Sequence, residues 1–127
     1  MYEYKFKFNR VVDGDTVDGT IDLGFGIQAK KRIRLVGINA PETRTRDQEE
    51  KKKGKEAKKR LAVLLRHGQK QAEGLVITTS LDKTGKFGRV LGDIKYKYAE
   101  DPYGPWVGWK SINEQLVEEG LATPYEV

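Results

Sequence analysis

The sequence contains no cysteine, which excludes disulfide bonds, thiolate zinc sites and cysteine nucleophiles. It contains one histidine, His67, which ends a helical pattern just before Gly68. A cation at that position interacts favourably with the helix dipole, so a structural or solvent-facing role is favoured for His67. We therefore expect any chemistry in this chain to depend on carboxylates and arginines.

Long apolar runs are also missing, and none approaches the roughly 20 residues of a membrane span. The first residues, MYEYKFKF, alternate between polar and apolar and lack the continuous apolar stretch of a signal peptide. These features predict no membrane partner. They also predict a cytoplasmic location, or secretion if a leader has been removed. The 127 residues suit one domain over residues 1–127, which we expect to be monomeric.

Charge of both signs is abundant, at 34% of residues, and the formal net charge is +5. This excess favours a polyanionic partner, although many small soluble proteins are mildly basic. A run of cations at Lys51–Lys55, continued by Lys58, Lys59 and Arg60, either steers nucleic acid or forms a solvated helix face.

Alternating polar and apolar residues predict five strands, at about residues 4–12, 15–23, 27–38, 75–81 and 89–98. A charged loop is expected over 42–54, followed by a helix over 55–67 that Gly68 ends. Ser111 and Glu114 form a capping box for a last helix, which stops at Gly120. The order of these elements predicts a β-rich α+β fold, a five-stranded OB-type Greek-key barrel with two to three helices.

Candidate chemical groups lie at the ends of these strands. Arg34 shares a face of the third strand with apolar residues, and Glu42 follows eight positions later, after the stiff turn at Pro41. Asp15 follows the Asp13-Gly14 turn, where oxygen ligands would suit a hard cation. Each feature also has a plain structural reading, as an outward charge, a turn acid or a hairpin turn.

Five motifs in a fixed order carry a resemblance. They are VVDGDTV, RLVGINAPET, GKEA opening a helix, KFGRVLG and INEQLVEEGLA, and they run from about Val11 to Leu121. In this order they resemble the staphylococcal nuclease (thermonuclease) family. The resemblance implies an OB barrel with helices, a Ca²⁺ cofactor, and hydrolysis of DNA, RNA or both that leaves 3′-phosphate ends.

The resemblance also implies roles for individual residues. By position, Arg34, Arg89 and Glu42 are similar to the family's catalytic arginines and glutamate. Asp15, Asn39 and the backbone of Ala40 are similar to its metal ligands, and Lys86, Phe87 and Tyr125 to its substrate contacts.

Two of these positions depart from the family's pattern. Asn39 stands where the family usually has an aspartate, so we expect a divalent ion to bind weakly or to be replaced by another ion. Phe87 stands where a tyrosine is common and lacks its hydroxyl donor.

The segment 99–110 is longer than the family's pattern and carries Tyr103, Trp106 and Trp109. These aromatic residues either stack on bases or cover an open end of the barrel.

The sequence leads us to expect a nuclease, and two alternatives stay open. The first is a non-catalytic OB module that binds nucleic acid without cutting it. The second alternative, which is less favoured, is a protein-interaction domain that recognises acidic or methylated tails through its aromatic residues.

Overall fold

The computed structural model describes residues 2–71, 73–81, 89–98, 104–105 and 107–125, with the backbone alone for Leu81 and Arg89. The elements in chain order are β1 (Tyr2–Asp13), β2 (Thr16–Gly24), β3 (Ile27–Leu35), β4 (Ile38–Asn39), α1 (Gln48–Gln69), β5 (Leu75–Leu81), β6 (Arg89–Tyr98), β7 (Gly108–Ser111), α2 (Ile112–Glu118) and β8 (Thr123–Pro124). Neither of these helices is long and apolar enough to cross a membrane.

Five strands close into a barrel. Strands β3, β2, β1, β5 and β6 pair as antiparallel neighbours in that order, and a parallel pairing between β3 and β6 closes the ring. Closure leaves no unpaired edge within the ring. The predicted OB-type barrel is therefore confirmed, with two helices in the part of the chain that the structure describes.

The core of the barrel follows from the alternation along its strands. Ile33 and Leu35 of β3 are buried, as the pattern predicts, and Ile77 and Ile94 bury the matching faces of β5 and β6. Helix α1 closes one side with a buried apolar stripe formed by Leu61, Leu64 and Leu65.

Helix α1 differs from the prediction at both ends. It begins at Gln48, with Asp47 as its N-cap, so residues 48–54 are helical and the predicted loop over 42–54 is too long. The first turns carry few apolar residues, and the pattern therefore gave no helical signal there. Gly68 does not end the helix, because it is buried inside it where the helix passes Leu75 and Tyr96.

The third strand ends earlier than predicted, at Leu35, and a turn at Val36-Gly37 separates it from the short strand β4. Strand β4 pairs with β8, so the C-terminal segment lies against residues 38 and 39. This pairing has no signal in the local sequence.

The C-terminal part confirms the capping box. The Ser111 side chain accepts the backbone N–H of Glu114 at 3.3 Å, and Gly120 follows the helix with a φ of 75°. Strand β7 pairs antiparallel with β6.

Candidate active site

The turn between β1 and β2 places Asp15 at one end of the barrel. A Cβ added at Gly14 would lie 2.6 Å from the Cβ of Ala57 in α1 and 2.9 Å from the Cβ of Ala40. The turn is therefore pressed against both the helix and the segment after β4, and glycine is needed for this close approach. Asp15 itself is 9% exposed.

The carboxylate of Asp15 is held by three donors. Its Oδ2 accepts the backbone N–H of Ala40 at 2.9 Å, and its Oδ1 accepts the Thr16 hydroxyl at 3.0 Å. The same Oδ2 lies 3.5 Å from Nη2 of Arg34. A carboxylate bound in this way is fixed in orientation beside residue 40.

The guanidinium of Arg34 is the centre of the cluster. Its Nη1 donates to the carbonyl of Leu35 at 2.8 Å, and its Nη2 donates to Oδ1 of Asn39 at 3.3 Å. The side chains of Arg34 and Asp15 are each 13% exposed. Arg34 is thus a nearly buried cation with a fixed position, which the outward-charge reading of this residue did not predict.

A neighbouring ion pair is far more exposed than the Arg34 cluster. Arg32 binds Asp18 at the exposed face of the same strand, with Nε 2.8 Å from Oδ1. Hydrogen bonding from Arg32 holds the pKa of Asp18 below its usual value. Arg32 is 49% exposed, so this pair is solvated and contributes little to stability.

The segment that carries Glu42 is fixed on two sides. The hydroxyl of Thr43 donates to Oδ1 of Asp13, which ties the segment to the β1–β2 turn. On the other side Gly54 of α1 is so close that an added Cβ would lie 2.6 Å from the carbonyl oxygen of Glu42. The backbone of Glu42 is therefore held between the turn and the helix, while the residue itself is exposed.

A cleft of about 450 Å³ opens beside this segment. Its lining includes one cation, Lys53, and four acidic residues, Glu42, Asp47, Glu49 and Glu50. The excess of carboxylates makes this cleft attractive to cations.

The C-terminal segment forms another wall of the site. The backbone N–H of Tyr125 donates to the carbonyl of Gly37 at 2.8 Å, and the Thr123 hydroxyl donates to the carbonyl of Asn39 at 3.3 Å. Tyr125, predicted as a substrate contact, is 48% exposed beside the turn at Gly37. Its role stays a prediction.

The second arginine of the predicted site is described through its backbone. Arg89 begins β6, and its Cα pairs with that of Arg32, two positions before Arg34 on the adjacent strand. Lys86 and Phe87 lie outside the described residues, as do Tyr103 and Trp106.

Trp109 of the aromatic segment lies on β7 and is 41% exposed. The Nζ atoms of Lys95 and Lys97 are each 5.2 Å from the centre of its ring, within the range of cation–π attraction. Base stacking by this ring stays a prediction.

Two of the three predicted metal ligands contact the same group. Oδ2 of Asp15 and Oδ1 of Asn39 both contact the same nitrogen of Arg34, so the two oxygens converge on a positive group. Both are hard oxygen donors, and the Asp15 bond to the Ala40 N–H brings the backbone of residue 40 next to them. These oxygen donors, which together carry one negative charge, fit a hard divalent cation. Among the described residues no group of three or more acidic, histidine or cysteine side chains is positioned to hold a metal.

Asn113 is a residue of the site region that the sequence did not single out. It is 3% exposed, and its side chain donates to the carbonyls of Val36 and Gly92 and accepts from the N–H of Ile94. It therefore fixes the backbone just beyond the end of β3 against β6. The signal that could have found Asn113 is its position as a polar residue next to Ile112, which is buried at the start of a short helix.

The sequence model of the family described as staphylococcal nuclease homologue matches residues 32–127. Protein ParB of Escherichia coli is 32% identical over 127 residues, which covers 97% of this chain and 58% of that protein. Endonuclease YhcR of Bacillus subtilis (strain 168) is 28% identical over 128 residues, which covers 97% of this chain and 9% of that protein. The chain thus spans little more than half of one relative and a small part of the other.

Proposed function

This chain belongs to the family of staphylococcal nuclease homologues, and on that premise we propose that it is a metal-dependent nuclease that hydrolyses phosphodiester bonds of DNA, RNA or both. The family match and the similarity to an endonuclease support a nuclease or nucleic-acid-binding role. Cleavage, Ca²⁺ as the cofactor and 3′-phosphate products are the finer parts of the proposal.

One observation carries it. Arg34 is nearly buried, fixed by the Leu35 carbonyl, and in contact with Asp15. The segment that carries Glu42 is tied to the same β1–β2 turn through Thr43 and Asp13. Attack on a phosphodiester builds negative charge on the phosphoryl oxygens, and a fixed guanidinium stabilises that charge without reorganising. The planar fork of arginine can bind two oxygens at once, which lysine cannot reproduce.

The other residues have distinct tasks in the proposed mechanism. Arg89 would supply a second guanidinium from the strand adjacent to β3. Glu42 would orient or deprotonate the attacking water, and its backbone is held in place by the close approach of Gly54. Asp15, Asn39 and the backbone of Ala40 would hold the divalent cation, which supplies further neutralisation of the phosphoryl charge.

A digestion assay tests the proposal. Plasmid DNA and a long RNA are incubated with the protein in Ca²⁺, Mg²⁺, Mn²⁺ or EDTA, and the product ends are analysed for a 3′-phosphate. We expect Arg34→Ala to reduce kcat by about 10²–10³-fold and Glu42→Gln by about 10²–10⁴-fold. Arg32→Ala is the matched control, since Arg32 lies on the same strand but pairs with Asp18 at the surface, and it should retain most of the activity.

The alternative is an OB module that binds nucleic acid without cutting it. One observation favours it: the convergent oxygen set includes a single carboxylate, Asp15, where an aspartate in place of Asn39 would have supplied a second. Retained binding with no cleavage in any of the three metal ions would establish this alternative in place of the nuclease.

A further inference from the structure

A second groove lies on the other side of helix α1 from the acidic cleft. It runs between β1 and α1, has a volume of about 510 Å³, and is lined by Arg10 on the strand and by Lys55, Lys58, Lys59 and Arg66 on the helix. Among the described residues, none of those that line the groove carries a carboxylate. The structure therefore divides the cationic run of the sequence, because Lys53 faces the acidic cleft and Arg60 binds Glu119.

The cations of this groove have few internal partners. In the part of the chain that the structure describes, none of the four helix cations lies within 4.0 Å of a carboxylate oxygen, and Arg10 reaches Asp18 at 4.0 Å. Lys55, Lys58 and Lys59 are also spaced three and four positions apart, where like charges repel along a helix. A bound polyanion would relieve this repulsion.

The shape of the groove indicates the kind of polyanion. Phe8, Val11 and Ala62 add apolar surface to the cations that line the groove. A nucleic-acid strand offers matching groups, with phosphates along its backbone and flat apolar faces on its bases. A membrane surface would instead need apolar side chains that protrude, whereas these three are partly buried.

The length and position of the groove suit a chain rather than a single phosphate. Lys55 and Arg66 are 11 residues apart, or about 16 Å along the helix axis, which spans several phosphates of one strand. Near the Lys55 end, Ala57 packs against Gly14 in the turn that carries Asp15.

We propose that the groove between β1 and α1 is a binding track for the phosphodiester backbone of nucleic acid, which holds the part of the strand that extends beyond the Arg34 cluster. The track rests on the proposed function in that the strand it holds is the substrate. It would make affinity depend on the length of the nucleic acid, since a short substrate reaches the Arg34 cluster without filling the groove.

Two quadruple variants with the same change in charge test the track. The groove variant is Lys55→Gln, Lys58→Gln, Lys59→Gln and Arg66→Gln. The control variant is Lys5→Gln, Lys30→Gln, Lys52→Gln and Lys70→Gln, at exposed lysines outside this groove. Circular dichroism and thermal unfolding first establish that both variants fold.

Binding of a labelled 30-nucleotide single strand and of a 30-base-pair duplex is then measured by fluorescence anisotropy from 50 to 300 mM salt, in EDTA so that no cleavage occurs. Four lost phosphate contacts should reduce the slope of log K against log salt by about 2.8 for the single strand, at about 0.7 per contact. The control variant should change this slope by less than one unit. Equal slopes for the two variants would overturn the track.

Two further measurements separate the possible failures. If the protein cuts, kcat/KM for the long strand relative to a dinucleotide should fall in the groove variant and stay at the wild-type ratio in the control. If it does not cut in any metal but the groove variant still loses binding, the nuclease proposal fails and the track stands. The last measurement is sedimentation with vesicles of phosphatidylserine and phosphatidylcholine. If the groove variant loses binding to vesicles but keeps its binding to nucleic acid, the proposal is overturned.

Discussion

The crossing of helix α1 over the segment that carries Glu42 offers a test of how the fold positions the site. An added Cβ at Gly54 would lie 2.6 Å from the carbonyl oxygen of Glu42 and 2.8 Å from that of Pro41. Both are backbone atoms, so no side-chain rotation can make room. In Gly54→Ala the segment or the helix must therefore move.

The size of the movement follows from the same distances. Ordinary van der Waals contact begins at 3.4 Å, so the 2.6 Å contact must open by roughly 0.8 Å. Alanine gains about 1 kcal/mol of helix propensity over glycine, whereas overpacking costs about 1–3 kcal/mol. We expect a net loss of about 0–2 kcal/mol in the free energy of unfolding. A catalytic group displaced by about 1 Å can cost 10²-fold in rate, so activity should fall far more than stability.

Gly68→Ala is the matched control. It makes the same change in the same helix, and its Cβ would also meet neighbours at 2.6 Å, but the closest atoms belong to the side chains of Leu75 and Tyr96. Urea unfolding and kcat/KM on single-stranded DNA are measured for both variants. If Gly54→Ala is stabilised by about 1 kcal/mol and keeps full activity, the close approach does not hold Glu42 in place and the reasoning is refuted.

Three other changes have defined outcomes. Asn39→Asp adds a charge beside Asp15, worth up to about 4 kcal/mol at 4 Å before desolvation, and calorimetry should show divalent ions binding at least about tenfold tighter; unchanged affinity would contradict the proposed ligand set. Asn113→Leu removes three hydrogen bonds between this side chain and the backbone, although the Gly92 carbonyl keeps the N–H of Val36 as a donor. It should lower the free energy of unfolding by about 2 kcal/mol or more, so a loss below about 1 kcal/mol in urea would count against its role. Hydrogen bonding from Arg60 lowers the pKa of Glu119, so this pair stabilises the fold above the unfolded pKa of the carboxyl and less as pH falls through its folded pKa. Glu119→Gln should therefore lower Tm slightly at pH 7 and not at pH 3, and an equal effect at both would exclude the ion pair as the cause.

The sequence predicted those parts of the fold that depend on local periodicity. Both β5 and β6 have the predicted bounds, and the capping box at Ser111 forms as expected. The start of α1 was missed because residues 48–54 lack an apolar stripe, and the helix begins where Asp47 caps it. Gly68 was misread as a stop, because a glycine that makes room for a neighbouring strand has the same local signal as one that ends a helix.

The candidate site was predicted in part. The motif order brought Arg34, Asp15 and Asn39 into one hypothesis, and the structure places the side chains of Asp15 and Asn39 in contact with Arg34. The roles assigned to them stay predictions. Thr43, Thr123 and Asn113 were not predicted, since each acts through a partner at least 30 positions away in the chain.

The sequence by itself determined the absence of cysteine chemistry and the alternation that builds the barrel, because these are properties of composition and of spacing along one element. The dependence of any catalysis on carboxylates and arginines stays a prediction. Only the tertiary structure decided the electrostatics. Helix α1 carries its acidic first turn toward Glu42 and its lysines toward β1, so one charged run divides into an acidic cleft and a basic groove. That division depends on the direction in which each helix position faces after packing, which the spacing of charges along the chain does not determine.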